Sequence, residues 1–501
     1  MKYILLFSVI LIGACATKPS ETTPRLSPLG KLDLIAQDYL AKTGVPGMAI
    51  AVVKNDRVVF AKGYGVRELG KPETVDTETV FQLASMSKPL GASAIAAAVS
   101  AGKLKWQDPI QKHLPAFKLA DSKISQEVTI EDMYSHRSGL PGGAGDILEI
   151  LGYERADVLS KLRYENLHEF RGIFAYSNFG MTAGGEAAAK ASGQKWEDLT
   201  QMKVFAPLGM KSTSSRYADF IEKKNRATLH KKIEDTWQVS PFKRNPDAQS
   251  PAGGISSNVQ DLAQWMRMIL ASGKYDDREI IKADVLNDMF LPRIEDKTES
   301  SAKHKNYYSL GFFSTTDSQQ RIRLSHSGIF DAGASTTVVL VPDIKIGIVV
   351  LTNGEPVGLP EAVAASFLDE VFEKKQTQDW LSYYHELHAA KPIPPVADDR
   401  KKPIKSSKPA SAYVGIYKNK YYGDARITFS GKGLVLTLGP RKLKFPLTSW
   451  EKDTFLMTHV NEFTMAGKNS LVHFGVGPNG KATSFKVDLL DGNVQGTFTR
   501  K

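Results

Sequence analysis

Apolar positions change their spacing several times along the chain, and each change marks an element. Leu32, Ile35, Ala36, Tyr39 and Leu40 recur at helical spacing, and Gly44 with Pro46 ends that helix. Residues 48–53 and 57–61 are apolar runs on either side of Asn55-Asp56, which predicts a tight β-hairpin. From about residue 85 to 300 the pattern is mostly helical, broken by Gly- and Pro-rich stretches such as Leu140-Pro141-Gly142-Gly143. Strands return at 336–341 and 345–351 as a second hairpin across Pro342-Asp343. Two tight hairpins predict an antiparallel sheet built from both ends of one domain, with the helical region inserted beside it. The crevice between sheet and insertion is a natural place for a site.

A helical stretch over 360–389 closes this domain, and residues 391–411 hold five prolines and six basic residues, which predicts a linker. Short β-patterned runs follow at 413–417, 426–429, 434–438, 442–447, 455–460, 471–476, 484–489 and 494–498. Eight runs in about ninety residues predict a small closed barrel rather than an open sandwich. The expected fold is therefore α/β: an antiparallel sheet flanked by helices with a helical insertion, then a C-terminal antiparallel β-barrel. The expected division is a signal peptide over 1–15, a tether over 16–29, the main domain over 30–390, the linker over 391–411 and the barrel over 412–501.

The 501 residues are 42% hydrophobic and 24% charged, globular values that exclude disorder as the main theme. The net charge of +11 is uneven, because residues 401–501 hold 17 basic and 6 acidic residues and the first 400 are neutral. A neutral body argues against a nucleic-acid enzyme, so no nucleic-acid partner is expected. The basic C-terminal region either faces anionic material or is simply a soluble basic surface. Cys15 is the only cysteine, which excludes an intrachain disulfide, and no HExxH or CxxC pattern is present. Neither a metal nor a cofactor is expected.

Lys2 followed by the apolar residues 3–12 has the form of a secretory signal too short to span a bilayer. Ile12-Gly13-Ala14-Cys15 resembles a lipobox, which implies a lipid on Cys15 and anchoring in a bacterial cell envelope. Ala16 after the cysteine favours the outer membrane, facing the periplasm. Ordinary cleavage after Ala16 stays open as the alternative.

Candidate chemistry begins at Ser85-Met86-Ser87-Lys88, where the spacing puts a hydroxyl and an amine on one face of a first helical turn. SxxK occurs six times, but only Ser85 follows an apolar strand-like lead, Val80-Phe81-Gln82-Leu83-Ala84, and opens a long apolar helix. Burial there disfavours an ammonium, so Lys88 can take the Ser85 proton. Here the chain resembles the class C β-lactamase-like serine hydrolases, which include DD-peptidases, D-aminopeptidases and esterases, over about residues 30–385. That family's YxN motif occurs at Tyr164, Tyr176 and Tyr417, and Phe174-Ala175-Tyr176-Ser177-Asn178 before a helix is the segment that looks like it.

The resemblance implies that the Tyr176 phenol relays a proton between Ser85 and the leaving group, and that Asn178 holds the substrate amide or Lys88. Lys42-Thr43-Gly44 reads as a helix stop, whereas His326-Ser327-Gly328 lies in the family order for the third motif. By resemblance, His326, Gly328 and Ile329 meet the substrate, and the backbone N–H groups of Ser85 and Ile329 form an oxyanion hole. A histidine in place of a motif lysine removes a permanent cation and favours peptides or esters over β-lactams. Val45-Pro46-Gly47, Ser135-His136-Arg137-Ser138-Gly139-Leu140 and Pro251-Ala252-Gly253-Gly254-Ile255 also look like the family. They read as backbone-shaping turns, with Gly253 and Gly254 lining the cleft. The barrel is similar to the lipocalin-like domain appended to some of these hydrolases.

The expected function is an envelope serine hydrolase acting through a Ser85 acyl-enzyme on an amide or ester. A true β-lactamase and a non-catalytic envelope-binding or scaffolding protein of the same fold are the alternatives. Expected partners are a small peptide, ester or peptidoglycan-derived substrate, the membrane through Cys15, and further copies of the chain. Since every motif precedes the linker, removing residues 412–501 is expected to leave small-ester turnover nearly unchanged.

Overall fold

Ser27 accepts a hydrogen bond from the Gly30 N–H and opens α1 (Pro28–Thr43), so this helix takes in the last two residues of the expected tether. The helix ends at Gly44, whose φ of 66° and N–H bond to Leu40 O make Lys42-Thr43-Gly44 a stop. The computed structural model describes residues 26–298, 300, 305–317, 319–389, 408–431, 433–458 and 469–501. The signal peptide, Cys15, most of the tether and residues 391–407 of the linker lie outside them.

The first hairpin is β1 (Gly47–Lys54) and β2 (Arg57–Gly65), turning through left-handed Asn55 and Asp56. Short strands β3 (Ile294–Glu295), β4 (Tyr307–Tyr308) and β5 (Phe313–Thr316) lead to β6 (Ile322–Phe330), β7 (Ala334–Val341) and β8 (Ile346–Thr352). All pair antiparallel in one eight-stranded sheet of order β2-β1-β8-β7-β6-β5-β4-β3. The β1–β8 pairing joins the two ends of the domain, as the two hairpins predict.

β1 reads as a continuous apolar run because both its faces are covered. Met48, Ile50 and Val52 pack in one core with α1 and α5 (Leu359–Phe372), while Ala49, Ala51 and Val53 belong to the core of the helical insertion. In that second core lie α2 (Ser87–Ser100), α3 (Asn178–Ala191) and α4 (Val259–Leu270). The helix expected over 360–389 is two helices, α5 and α6 (Trp380–His388), with left-handed Lys374 between them.

The C-terminal region is a closed barrel of eight antiparallel strands: β9 (Gly415–Lys418), β10 (Ala425–Phe429), β11 (Leu434–Leu438), β12 (Leu443–Glu451), β13 (Thr454–Thr458), β14 (Asn469–Val476), β15 (Ala482–Val487) and β16 (Thr497–Arg500). The last run starts later than expected, because Val494 is 80% exposed with φ 60° in a turn. Tyr413, Tyr417, Phe455, Phe474, Phe485 and Phe498 fill the interior, with the Phe485 and Phe498 rings stacked 4.7 Å apart. No helix among the described residues is long and apolar enough to cross a membrane.

Candidate active site

The nucleophile candidate sits on a sharp turn. Phe81–Gln82 pairs with Ser256–Ser257, and Leu83 N–H bonds to Ile255 O at 2.9 Å, so the strand-like lead is anchored before it ends. Ala84 then takes a left-handed φ of 50°, which costs about 1–3 kcal/mol without a glycine. The 3-10 turn Ala84–Met86 runs into α2, and from Val80 to Ala98 only Ser85 is not fully buried. The turn therefore presents one hydroxyl from an otherwise closed wall.

Gly328 on β6 explains why that wall needs a glycine. A Cβ there would run into Leu83 O and the Met86 amide, so β6 can press against the nucleophile turn only without a side chain. Ile329, the next residue, pairs with Ser335 on β7.

Lys88 is 0% exposed, and its Nζ makes three hydrogen bonds: to Ser85 Oγ at 3.0 Å, Asn178 Oδ1 at 2.8 Å and Ala252 O at 3.0 Å. Burial without a paired carboxylate pulls its pKa down to about 7, with the Asp146 charge opposing the shift. At neutral pH a large share of the amine is thus uncharged and able to accept a proton.

Tyr176 lies across the same group, its ring 4.5 Å from Lys88 Nζ and its phenol interacting with Ser85. Burial pushes the phenol pKa well up, so it remains protonated and can donate but is a poor base. Its backbone is held closely: Gly143 N–H donates to Tyr176 O, and the following Ser177 N–H donates to His136 Nδ1. Ser177 Oγ accepts from Gly180 N–H and caps α3, whose first residue is Asn178. The other two YxN tyrosines lie elsewhere, Tyr164 exposed on the surface and Tyr417 inside the barrel.

His326 lies on β6 beside the site. It is 2% exposed, and both ring nitrogens are occupied: Nδ1–H donates to Ser327 O at 2.7 Å and Nε2 accepts from the Tyr308 hydroxyl at 3.0 Å. Burial lowers its pKa to about 3, so the ring is neutral. The expected substrate contact through His326 has no free nitrogen to make it, and the ring braces the aromatic layer of Tyr308, Phe313 and Tyr176 instead.

Sequence reading missed three groups. Ala252 supplies a carbonyl to Lys88, a role invisible in a side-chain motif. The flanking Gly253 and Gly254 are buried rather than lining the cleft, and a Cβ on Gly254 would meet Ser250. His136 stacks 4.3 Å from Tyr176 and takes a left-handed φ of 57°, so the turn it sits in shapes the backbone and also supports the phenol. Asp146 faces Asn178 Nδ2 with both carboxylate oxygens at 3.3 Å, and burial and the neighbouring Glu149 raise its pKa to about 7. The run Gly142-Gly143-Ala144-Gly145 before it was the one available signal, a glycine-rich turn presenting a carboxylate.

A serine, a lysine of lowered pKa and a protonated phenol in mutual contact, beside a crossing strand, are the groups that nucleophilic acyl transfer requires. Residues 32–371 match the family model described as Beta-lactamase, and the chain belongs to that family of β-lactamase-fold serine hydrolases. Residues 399–499 match a second model, described as a domain of unknown function, DUF3471.

Among relatives, Protein flp of Staphylococcus aureus is 26% identical over 344 residues, covering 66% of this chain and 64% of its own length. The chain thus spans slightly less than two thirds of that relative. The D-alanyl-D-alanine-carboxypeptidase/endopeptidase AmpH of Escherichia coli is 27% identical over 283 residues, covering 55% of this chain and 71% of its own. The octameric penicillin-binding protein homologue from Pyrococcus abyssi shares the fold with a TM-score of 0.61 at 20% identity, over 94% of this chain and 100% of that one. A class C β-lactamase from Rhodobacter sphaeroides does so with a TM-score of 0.55 at 19% identity, over 68% and 99%.

Proposed function

We propose that this chain is a serine hydrolase of the bacterial cell envelope that cleaves a small peptide or ester, of the peptidoglycan-derived or D-amino-acid type, through a Ser85 acyl-enzyme. The observation that carries this reading is Lys88: a fully buried amine, pulled toward neutrality, 3.0 Å from the one hydroxyl left open on the nucleophile turn. Lys88 takes the Ser85 proton as Oγ attacks the carbonyl carbon. The backbone N–H groups of Ser85 and Ile329 receive the developing oxyanion. The Tyr176 phenol gives its proton to the departing amine or alkoxide and recovers one from Lys88, and water enters by the reverse path to release the acid.

The activity in the name of the AmpH relative supports a peptidoglycan-type substrate. A neutral, occupied His326 weighs against tight reading of a free carboxylate, and so against a true β-lactamase and toward an endopeptidase or esterase rather than a carboxypeptidase. A scaffolding role without catalysis has no use for a buried, depressed lysine beside a strained serine turn. Lipid attachment at Cys15 would hold the enzyme at the outer membrane, and the octamer of the Pyrococcus abyssi homologue supports self-association.

Labelling with a fluorophosphonate probe and turnover of a nitrophenyl ester test the nucleophile together. Ser85→Ala is expected to abolish labelling and to cost at least ~10³-fold in turnover. Turnover within tenfold of the parent enzyme would reject Ser85.

A further inference from the structure

The barrel meets the main domain at the segment that faces Lys88. Its Asn419–Gly423 turn, between β9 and β10, is pinned by Asn419, whose Oδ1 accepts from the Tyr421 and Tyr422 N–H groups and whose Nδ2 donates to Gln495 O and Thr497 O. Tyr421 is thereby held out from the barrel and buried against the other domain. Its hydroxyl accepts from Gly145 N–H at 2.9 Å and bonds to the Glu165 carboxylate. Glu165, 1% exposed, also receives Asn493 Nδ2 and Gln495 Nε2, so it has three barrel partners. A carboxylate so completely removed from water requires those partners, which makes this a seated contact and not a loose tether. Lys161 Nζ on Tyr421 O and the Tyr153 hydroxyl on Tyr422 O complete it.

What the contact holds matters more than its size. Gly145 has φ 89°, and a Cβ there would collide with Phe179 and Val158, so its peptide has one available placement. The next residue is Asp146, joined through Asn178 to Lys88 Nζ. Two residues earlier, Gly143 N–H holds Tyr176 O. The segment 143–146 is therefore fixed at one end by the catalytic tyrosine's backbone and at the other by the barrel.

We propose that Tyr421 is a positioning residue of the Ser85 site: through the Gly145 amide the barrel sets where Asp146 and Asn178 stand relative to Lys88. This rests on the reading of Lys88 as the base. It reverses the expectation that residues 412–501 are dispensable for small-ester turnover.

The groups facing Lys88 are the Ser85 and Tyr176 hydroxyls, Asn178, the Ala252 carbonyl, neutral His136 and His326, and the Asp146 carboxylate. Only Asp146 raises the lysine's basicity, and Glu149 and Arg244 act on Asp146 in turn. If the segment loosens, Asp146 and Asn178 recede from Lys88, and near pH 7, where the Asp146 carboxyl ionises, the lysine loses part of the charge that holds its proton.

The test uses the full chain with Tyr421→Phe, following the rate of fluorophosphonate labelling and nitrophenyl-ester kinetics against pH. Expected are labelling slowed about tenfold, kcat reduced with KM little changed, and the rate profile near pH 7 altered in the same way as in Asp146→Asn. The double variant should be no slower than the worse single one, because both act through one group. Should Tyr421→Phe fold poorly, Glu165→Gln, which keeps shape and exchanges the charged acceptor that holds the tyrosine for a neutral one, carries the same readouts and an effect in the same direction. Parental rate and pH profile in either folded variant, with only a lowered melting temperature, would overturn the proposal and leave the tyrosine an interface residue. Absence of Ser85-dependent labelling in the parent chain would instead overturn the underlying reading, and the inference with it.

Discussion

The surroundings of Lys88 and the interior of the barrel are both shut off from water, yet they treat polar groups in opposite ways. Around Lys88 a lysine, an aspartate and two histidines are buried with their pKa values displaced, and burial is the largest cause in each. Inside the barrel six aromatic rings fill the space, and the phenols among them are satisfied, Tyr413 by Asp453 and Tyr417 by Tyr413 O. The first arrangement leaves groups able to exchange a proton near neutral pH, and the second leaves nothing to titrate there. Burial of this kind costs stability in the sheet domain and adds it in the barrel. The barrel's chemical influence lies at its rim, where Tyr421 leaves the sheet and enters the other domain.

The sharpest way to break this contrast is to make the site resemble a core. Lys88→Met fills a similar volume without the amine, and is expected to lower turnover by ~10³-fold while leaving the midpoint of urea unfolding little changed, since the lost hydrogen bonds of the amine are offset by the desolvation cost removed with it. A loss of stability equal to the loss of rate would mean that Lys88 is structural. The converse is Phe485→Ala in the barrel. Removing a fully buried ring should cost ~3–5 kcal/mol of barrel stability, seen in denaturant unfolding, while the folded fraction keeps its kcat within a few fold.

A smaller effect sharpens the picture within the site. Asp146→Asn removes the only charge that raises Lys88, so the lysine should deprotonate at lower pH and the acid limb of kcat/KM should move downward. The working form is the neutral amine, and the Asp146 carboxyl itself ionises near pH 7, so its charge acts on Lys88 only from about there upward and the variant gains relative to the parent around pH 7 and little at pH 5–6. An upward displacement would show that Asp146 acts other than as a charge beside Lys88.

How much of this was legible depends on the range over which each feature is encoded. The two hairpins, the Gly44 stop and the eight barrel runs are local patterns of spacing and turn residues, and each stands close to where periodicity puts it, with edges misplaced by a few residues at Val494, Leu489 and Glu451. Ser85 and Lys88 are three residues apart, and Tyr176 and Asn178 two, so each pair is visible as a motif. The site, however, is assembled from segments near 85, 146, 176, 252 and 328, and no local pattern states that Asp146 will meet Asn178 or that Ala252 will turn its carbonyl to Lys88. His326 was placed by motif order, which gives the strand correctly but not the depth of the side chain, and depth decides whether an imidazole meets substrate or a tyrosine. The Tyr421 contact crosses two domains and was beyond any reading in which motifs stop at the linker.

The central claim is that Lys88 is a base at neutral pH because it is buried. It is tested most directly by titrating that one amine, following the 13Cε resonance of Lys88 by NMR in full-length protein and assigning it by its loss in Lys88→Met. The account predicts a midpoint near pH 7, well below the ordinary lysine value of about 10.4. A Lys88 resonance that stays cationic beyond pH 9 would contradict it.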